Sequence, residues 1–337
     1  MIPESLLEQT STRFPWCQRE QVRVEPLEKG GSGRRYYRIA MPGGEGSVIL
    51  VRYTEAKEEN RHYCDIAAFL ATVGVSTPAF YHHDPQEGLI WMEDLGEVDL
   101  WSFREADWAT RHGLYHATLR EAVRLHLRGQ SVLASYSGQL TFQQAFTAEL
   151  YRWEQNYFID HCLQRHFGLG ERALAPVRPR LEAIAERLAQ RPRVLVHRDF
   201  QSQNIMVCEG REPNVCLIDF QGMRPGLAQY DLASLLYDPY VTFTPREHEW
   251  LLSDYMLLCE EAGQPVGDDF REIYDLCAMQ RLMQALGAYG FLGYTQGRPD
   301  FLRHIPKALA SLCEVLGRVG GTEPLRSVLA GLDHGAD

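Results

Sequence analysis

No apolar run in this 337-residue chain approaches the ~20 residues needed to span a bilayer, so no membrane partner is expected. The start, Met1-Ile2-Pro3-Glu4-Ser5, has neither the basic region nor the apolar core of a secretory signal peptide. Positive charge is short: 34 Lys and Arg stand against 45 Asp and Glu, a net charge of −11. That balance argues against nucleic acid as a partner and allows a cationic or neutral small substrate. The eight cysteines, at 17, 64, 162, 208, 216, 259, 277 and 313, form no C-x-x-C. In a chain this long they read as reduced, mostly buried thiols of a cytoplasmic enzyme. There is no internal repeat and no low-complexity segment. A hydrophobic content of 45% with 23% charged residues is globular, and the length suits one large domain or two lobes.

What the chain does have is His197-Arg198-Asp199-Phe200-Gln201-Ser202-Gln203-Asn204, followed by Leu217-Ile218-Asp219-Phe220. Residues 193–196 form a short apolar run that predicts a buried strand ending at His197. Residues 205–207 and 215–218 predict a hairpin. Cys208 and Cys216 flank its turn and read as strand packing. Asp199 and Asn204 then sit on the loop before the hairpin and Asp219 just after it, polar groups held on rigid strand ends. Singly, each fits a loop cap or a turn. Together, an aspartate, an asparagine five positions on and a second aspartate beyond a short hairpin form a phosphoryl-transfer set. Asp199 can orient an attacking hydroxyl and accept its proton. Asn204 and Asp219 are hard oxygen donors suited to Mg²⁺ carrying nucleotide phosphates.

On these residues, and on Ile218-Asp219-Phe220-Gln221, Tyr230-Asp231-Leu232, Glu93-Asp94-Leu95-Gly96 and the segment 280–306, the chain resembles the aminoglycoside phosphotransferase and choline kinase superfamily, which is similar in fold to the protein kinases. Within it, the resemblance runs to the kinases that phosphorylate N-acetylmuramate and N-acetylglucosamine at the anomeric hydroxyl in cell-wall sugar recycling. The likeness covers nearly the whole chain. Its catalytic set is specific to the superfamily, and the other motifs speak more weakly for the sugar. The resemblance implies an α+β, bilobal, protein-kinase-like fold. Residues 1–96 would be a nucleotide-binding lobe ending at a hinge, and residues 97–337 a helical lobe carrying the catalytic loop and substrate site. ATP and Mg²⁺ are the implied cofactors, and an amino sugar the implied small-molecule partner.

The residue pattern runs in the same order. Strands are predicted over 21–26, 35–40 and 47–53, a helix over 55–73, and strands over 79–83 and 88–92. From residue 100 the pattern is mainly helical. One helix covers 108–127 and stops at Gly129. A second carries Phe146, Leu150, Trp153 and Tyr157, and a third carries Leu181, Ile184, Ala185 and Leu188. Others cover 232–237, 246–262, 268–287 and 302–319.

Further site candidates follow. Lys29-Gly30-Gly31-Ser32-Gly33-Arg34-Arg35 lies between the first two strands. Gly30, Gly31, Ser32 and Gly33 would let backbone N–H groups approach phosphate oxygens, and the two arginines add charge. The third strand ends in Arg52, where kinase-like proteins place a lysine on the α- and β-phosphates; arginine can bind phosphate bidentately. Its acidic partner on the next helix would be Glu59, with Glu58 and Asp65 as rivals. Adenine would meet backbone groups near Glu93 and Leu95, with Met92 shaping the slot and Trp91 more simply in the core. His197 is expected to hold the loop, and Asp231 to be the N-cap tying its helix to that loop. For the acceptor, the candidates are Arg198, Gln201, Glu149, Glu154, Tyr157 and Arg281. Two other readings stand beside the sugar kinase: a kinase of an aminoglycoside, choline or homoserine, and a catalytically inactive nucleotide-binding regulator.

Overall fold

The computed structural model describes residues 4–17, 21–27, 34–41, 46–54, 60, 62–138 and 140–332. Helix α1 (Glu4–Arg13) leads into β1 (Arg23–Leu27), β2 (Arg35–Ala40) and β3 (Ser47–Arg52); α2 (Tyr63–Val73) then precedes β4 (Phe80–Asp84) and β5 (Leu89–Met92). The five strands make one antiparallel sheet in the order β1-β2-β3-β5-β4. Its two faces follow from the period of two along β3. Val48 and Leu50 pack with Trp91 and Leu6 of α1. Ile49 and Val51 pack with Ile66, Phe69 and Leu70 of α2. Trp91 is fully buried on the α1 side and donates its indole N–H to Thr10 Oγ1 at 2.9 Å. Helix α1 was not anticipated from sequence. It buries only Leu6 and Thr10, too few apolar positions to show a period.

The rest is mainly helical. Helix α3 (Trp108–Val123) continues through a π-turn (Arg124–Arg128) into α4 (Gly129–Ser135). The predicted stop at Gly129 is overturned because this glycine takes right-handed helical angles, φ −53° and ψ −44°. There follow α5 (Ala148–Phe158), α6 (Glu171–Leu174), α7 (Arg178–Ala189), β6 (Val194–Val196), β7 (Ile205–Val207), β8 (Val215–Leu217), β9 (Arg224–Gly226), α8 (Ala228–Leu236), α9 (Pro245–Glu261), α10 (Phe270–Tyr294), α11 (Ile305–Leu316) and α12 (Glu323–Ala330). Strands β7 and β8 form the predicted hairpin, and β6 pairs with β9, a strand the sequence pattern did not reveal. The predicted helix over 302–319 is shorter, because Pro306 sits in the first turn of α11 and sets its start. All eight cysteines are free thiols, five of them buried. Among the described residues no helix is long and apolar enough to cross a membrane.

Helix α10 is the axis of this half. It is buried on most of its circumference and packs against α5, α8 and α11, as a helix apolar all round must. It was expected to end at Gly287 and instead runs to Tyr294. The reason is close approach: a Cβ at Gly287 would lie 2.8 Å from Tyr157 C, and one at Gly290 2.2 Å from His161 O. Both glycines serve helix packing, not termination.

The sheet half and the helical half are joined by polar ties. Leu217 N donates to Ser76 O at 2.8 Å, and Ser76 N donates to Glu121 Oε2 at 2.8 Å. Arg211 pairs with Glu93 at 3.0 Å.

A prediction follows from the two kinds of glycine. Alanine in a helix interior is favoured over glycine by about 1 kcal/mol, whereas overpacking costs about 1–3 kcal/mol. Gly113 in α3 is exposed with nothing near its missing Cβ, so Gly113→Ala should raise stability. Gly290→Ala should lower it by about 1–2 kcal/mol net, because the atom opposed is backbone. Urea unfolding midpoints of the two variants should move in opposite directions.

Candidate active site

Strand β6 ends at Val196, and the chain then turns sharply. Arg198 has φ of 80°, in the left-handed region that a non-glycine residue occupies at a cost. Two backbone bonds hold it there: His197 N donates to Asp231 Oδ2 at 2.6 Å, and Arg198 N donates to Asp231 Oδ1 at 2.8 Å. The fully buried Asp231 carboxylate also lies 3.1 Å from His126 Nε2, whose Nδ1 is 2.9 Å from the Tyr255 hydroxyl. His197 Nε2 lies 3.0 Å from Ile218 O. Further along, Ser202 donates from both N and Oγ to the buried Asp238 Oδ2. Asn204 Nδ2 donates to Asp199 O at 2.9 Å, and Ile218 N donates to Asn204 O at 3.0 Å. The loop is thus bonded both to α8 and to the strand that leads to Asp219.

Asp219 also has a left-handed φ, 63°. Its Oδ1 accepts from Gln221 Nε2 at 3.0 Å and from the Arg34 guanidinium at 2.9 Å. Asp199 forms an ion pair with Arg198, and its side chain stays 30% exposed. Burial would push the Asp199 carboxyl up, but the charges of Arg198 and then Arg281 outweigh it and hold the group below its ordinary value. Arg198 is pushed up in return, chiefly by Asp199. Arg224 on β9 is lowered by burial and then by the charge of Arg198. Asp199 therefore sits among arginines.

A cavity of about 690 Å³ lies between the sheet and the helical half. Ile49 and Met92 line one part, Glu93 to Glu97 the edge, and Asn204, Ile218 and Asp219 the floor. Asn204 and Asp219 thus share a wall with the segment joining the two halves.

Comparison with known proteins gives the chain's family. A family model described as phosphotransferase enzyme family matches residues 23–255. The chain belongs to the phosphotransferase enzyme family. It is similar to a protein of Pseudomonas aeruginosa named N-acetylmuramate/N-acetylglucosamine kinase, 28% identical over 332 residues that span 96% of this chain and 92% of that one. A protein of the same name from Neisseria meningitidis is 28% identical over 308 residues, 89% of this chain and 87% of that one. Among solved structures, a choline kinase from Streptococcus pneumoniae has a TM-score of 0.61 at 17% identity, covering 92% of this chain and 98% of that one. A choline kinase from Cryptosporidium parvum has a TM-score of 0.63 at 13% identity, covering 97% and 99%. The fold is the expected α+β, bilobal, protein-kinase-like one.

For a phosphotransferase, the placement of the other candidates is informative. Met92, Glu93 and Leu95 line the cavity, and Trp91 does not. Glu93 N donates to Ala79 O at 2.8 Å, and its carboxylate takes Arg211 and Ala79 N. Arg52 is exposed and, by alternation with Ile49 and Val51, lies on the far face of β3; the structure does not bring it to the cavity. Gly30, Gly31, Ser32, Gly33, Glu58 and Glu59 lie outside the described residues, and Asp65 is exposed. Asp231 ties its helix to the loop as expected, but from inside the helix and not as the N-cap, a position that Leu227 holds. Gln201 is half-buried in the loop, its N–H donating to Asp199 O at 2.9 Å. Arg281 is buried on α10 and donates to Ser234 Oγ at 3.1 Å. Tyr157 is half-buried near Arg198 and stacks on Trp153 at 5.1 Å. Glu149 is exposed on α5, opposite its buried face. Glu154 is buried with both carboxylate oxygens engaged, by Tyr230 at 2.9 Å and Gln280 at 3.0 Å, so it braces α5 against α8 and α10.

Several contributors escaped the sequence reading. Arg38 on β2 grips Asp94 with Nε at 2.8 Å and Nη2 at 3.1 Å, fixing the segment after β5. Asp238 and Arg224 carry no motif. Arg34 was read only as charge beside the glycine-rich turn.

Asp231→Ala would leave the buried His197 N–H, the half-buried Arg198 N–H and His126 without this acceptor. At about 1–3 kcal/mol per unsatisfied buried donor, the variant should lose about 3 kcal/mol or more of stability, read by denaturant unfolding.

Proposed function

We propose that this phosphotransferase uses ATP and Mg²⁺ to phosphorylate N-acetylmuramate or N-acetylglucosamine at the anomeric hydroxyl. The observation that carries the reading is the single cavity running from Glu93 and Leu95 to Asn204 and Asp219, with Asp199 on the same loop as Asn204. The choice of acceptor is supported by relatives named N-acetylmuramate/N-acetylglucosamine kinase that align over nearly the whole chain. Residues 1–96 would act as the nucleotide lobe and residues 97–337 as the acceptor lobe.

Adenine would lie against Ile49 and Met92. The Glu93 N–H already serves Ala79, which leaves the Glu93 carbonyl and the Leu95 N–H as the edge contacts. Asn204 and Asp219 fit Mg²⁺: both offer oxygen donors to the cavity, and two protein donors plus phosphates are how that ion is usually held. Bound there, the ion would neutralise phosphate charge. Asp199 orients the acceptor hydroxyl and takes its proton. An anomeric hydroxyl is more acidic than an ordinary alcohol, so little proton charge need move before the phosphoryl bond forms. Most of the rate gain is positioning and charge neutralisation. Arg198 and Arg281, both acting on Asp199 electrostatically, suit the carboxylate of N-acetylmuramate. Tyr157 offers an aromatic face, and Gln201 a polar group beside the base.

Asp199→Asn should abolish transfer and leave nucleotide binding intact. With wild-type protein, the 1-methyl glycoside of the preferred sugar should be inert, and phosphorus NMR of the product should show phosphate coupled to the anomeric proton. Turnover of the methyl glycoside, or a 6-phosphate, would remove the anomeric assignment. Wild-type turnover by Asp199→Asn would remove the base.

The pH profile offers a further check. With its folded value depressed, Asp199 is ionised at neutral pH, and the stability from its pairing is present above the unfolded value and lost as pH falls through the folded one. Arg198→Met leaves burial less opposed and should shift the acid limb of kcat to higher pH. An acid limb that stays in place would show that Arg198 does not tune the base.

A further inference from the structure

We propose that Arg34 is the cation that holds the β- and γ-phosphates of the nucleotide, in the role expected of a basic residue on β3. The inference rests on the kinase reading above. Strand β3, Ser47-Val48-Ile49-Leu50-Val51-Arg52, has no lysine. Its cavity face presents Ile49 and then Val51, which is apolar and fully buried. Arg52 is on the other face. Strand β3 therefore offers no cation to the phosphates.

The neighbouring strand does. Tyr36 pairs with Val51, and Arg35 with Arg52, so the start of β2 lies beside the end of β3. Tyr36 lines the cavity. Two positions before it, with the period of a strand, Arg34 projects to the same side. Its side chain is only 1% exposed, its guanidinium is 2.9 Å from Asp219 Oδ1, and it lies over the Tyr63 ring at 5.4 Å. A buried guanidinium is costly unless its charge is met, and here it meets the carboxylate assigned to Mg²⁺. Arg34 also directly follows the run Gly30-Gly31-Ser32-Gly33. Phosphates arriving with Mg²⁺ would supply the negative charge that Asp219 now supplies, and a forked guanidinium matches two phosphate oxygens at once.

The test is calorimetric titration of the full chain with Mg²⁺-ADP and, separately, with adenosine, which lacks the phosphates. Arg34→Gln should weaken Mg²⁺-ADP at least tenfold and leave adenosine unchanged, while Arg52→Gln should change neither. Mg²⁺-ADP affinity within twofold of wild type in Arg34→Gln overturns the proposal. An equal loss for adenosine, or an equal loss in Arg52→Gln, also overturns it. Should Arg34→Gln fail to fold, Arg34→Lys carries the test. A lysine meets phosphate as a point charge, so Mg²⁺-ADP should weaken relative to adenosine, and an unchanged ratio overturns the proposal. Wild-type protein that binds no Mg²⁺-ADP would overturn the kinase reading itself, an outcome distinct from the others.

Discussion

The site depends on one buried carboxylate. Asp231 takes the backbone N–H groups of His197 and Arg198 on its two oxygens and meets His126 behind. Without that acceptor, nothing described would keep Arg198 at a φ of 80°, and the turn that aims Asp199 would relax toward ordinary extended backbone. Helix α8 carries Asp231 and is itself wedged against α10. The orientation of the Asp199 carboxylate is thereby coupled to the packing of the helical core. The second left-handed residue, Asp219, is treated in the same way: Gln221 and Arg34 both donate to it.

Charge then divides the site into two regions. Around Asp199 stand arginines from three elements of the helical half: Arg198 on the loop, Arg224 on β9 and Arg281 on α10. Arg198 and Arg281 hold the Asp199 carboxyl below its ordinary value against the pull of burial, as the proton acceptor proposed above would require. Around Asp219 the cation comes from the sheet half. A chain with a net charge of −11 thus concentrates positive charge where anionic groups would have to gather, which is an arrangement for focusing and not a property of overall composition.

The site proved more legible in the sequence than its supports. His197 to Asn204 and Asp219 stand at fixed spacing on a strand, loop and hairpin, and each of those elements formed where its apolar run predicted. The five sheet strands were also legible as short runs bounded by turn residues, although β3 and β5 are buried on both faces and show no period of two; their order in the sheet is long-range information. What failed was of another kind. Gly287 and Gly129 read as helix stops, yet α10 and the α3–α4 path pass through them. Glycine marks both chain reversal and close packing, and local sequence does not separate the two. Asp231 does tie its helix to the loop, as expected, but not as a cap: Leu227 takes the N-cap position, and the carboxylate reaches inward to Arg198, 33 residues earlier. Arg38, Asp238 and Arg224 act through partners distant in the chain and carry no local pattern at all.

Arg52 shows how reading along a strand can miss the face on which a side chain lies. Counting to the end of β3 assumes that the cation lies on the cavity face, but strand alternation puts Ile49 and Val51 there and turns Arg52 away. A strand cannot move a side chain across the sheet without slipping register by one, and that slip would turn every apolar residue of β3 to the wrong face. Antiparallel pairing supplies the remedy without such a slip. Arg34, the residue just before β2, lies near the end of β3 and contacts Asp219 and Tyr63, both of which line the cavity. If Arg34 holds the phosphates as proposed above, sheet face and register decide which residue can take that role more than the strand that bears it.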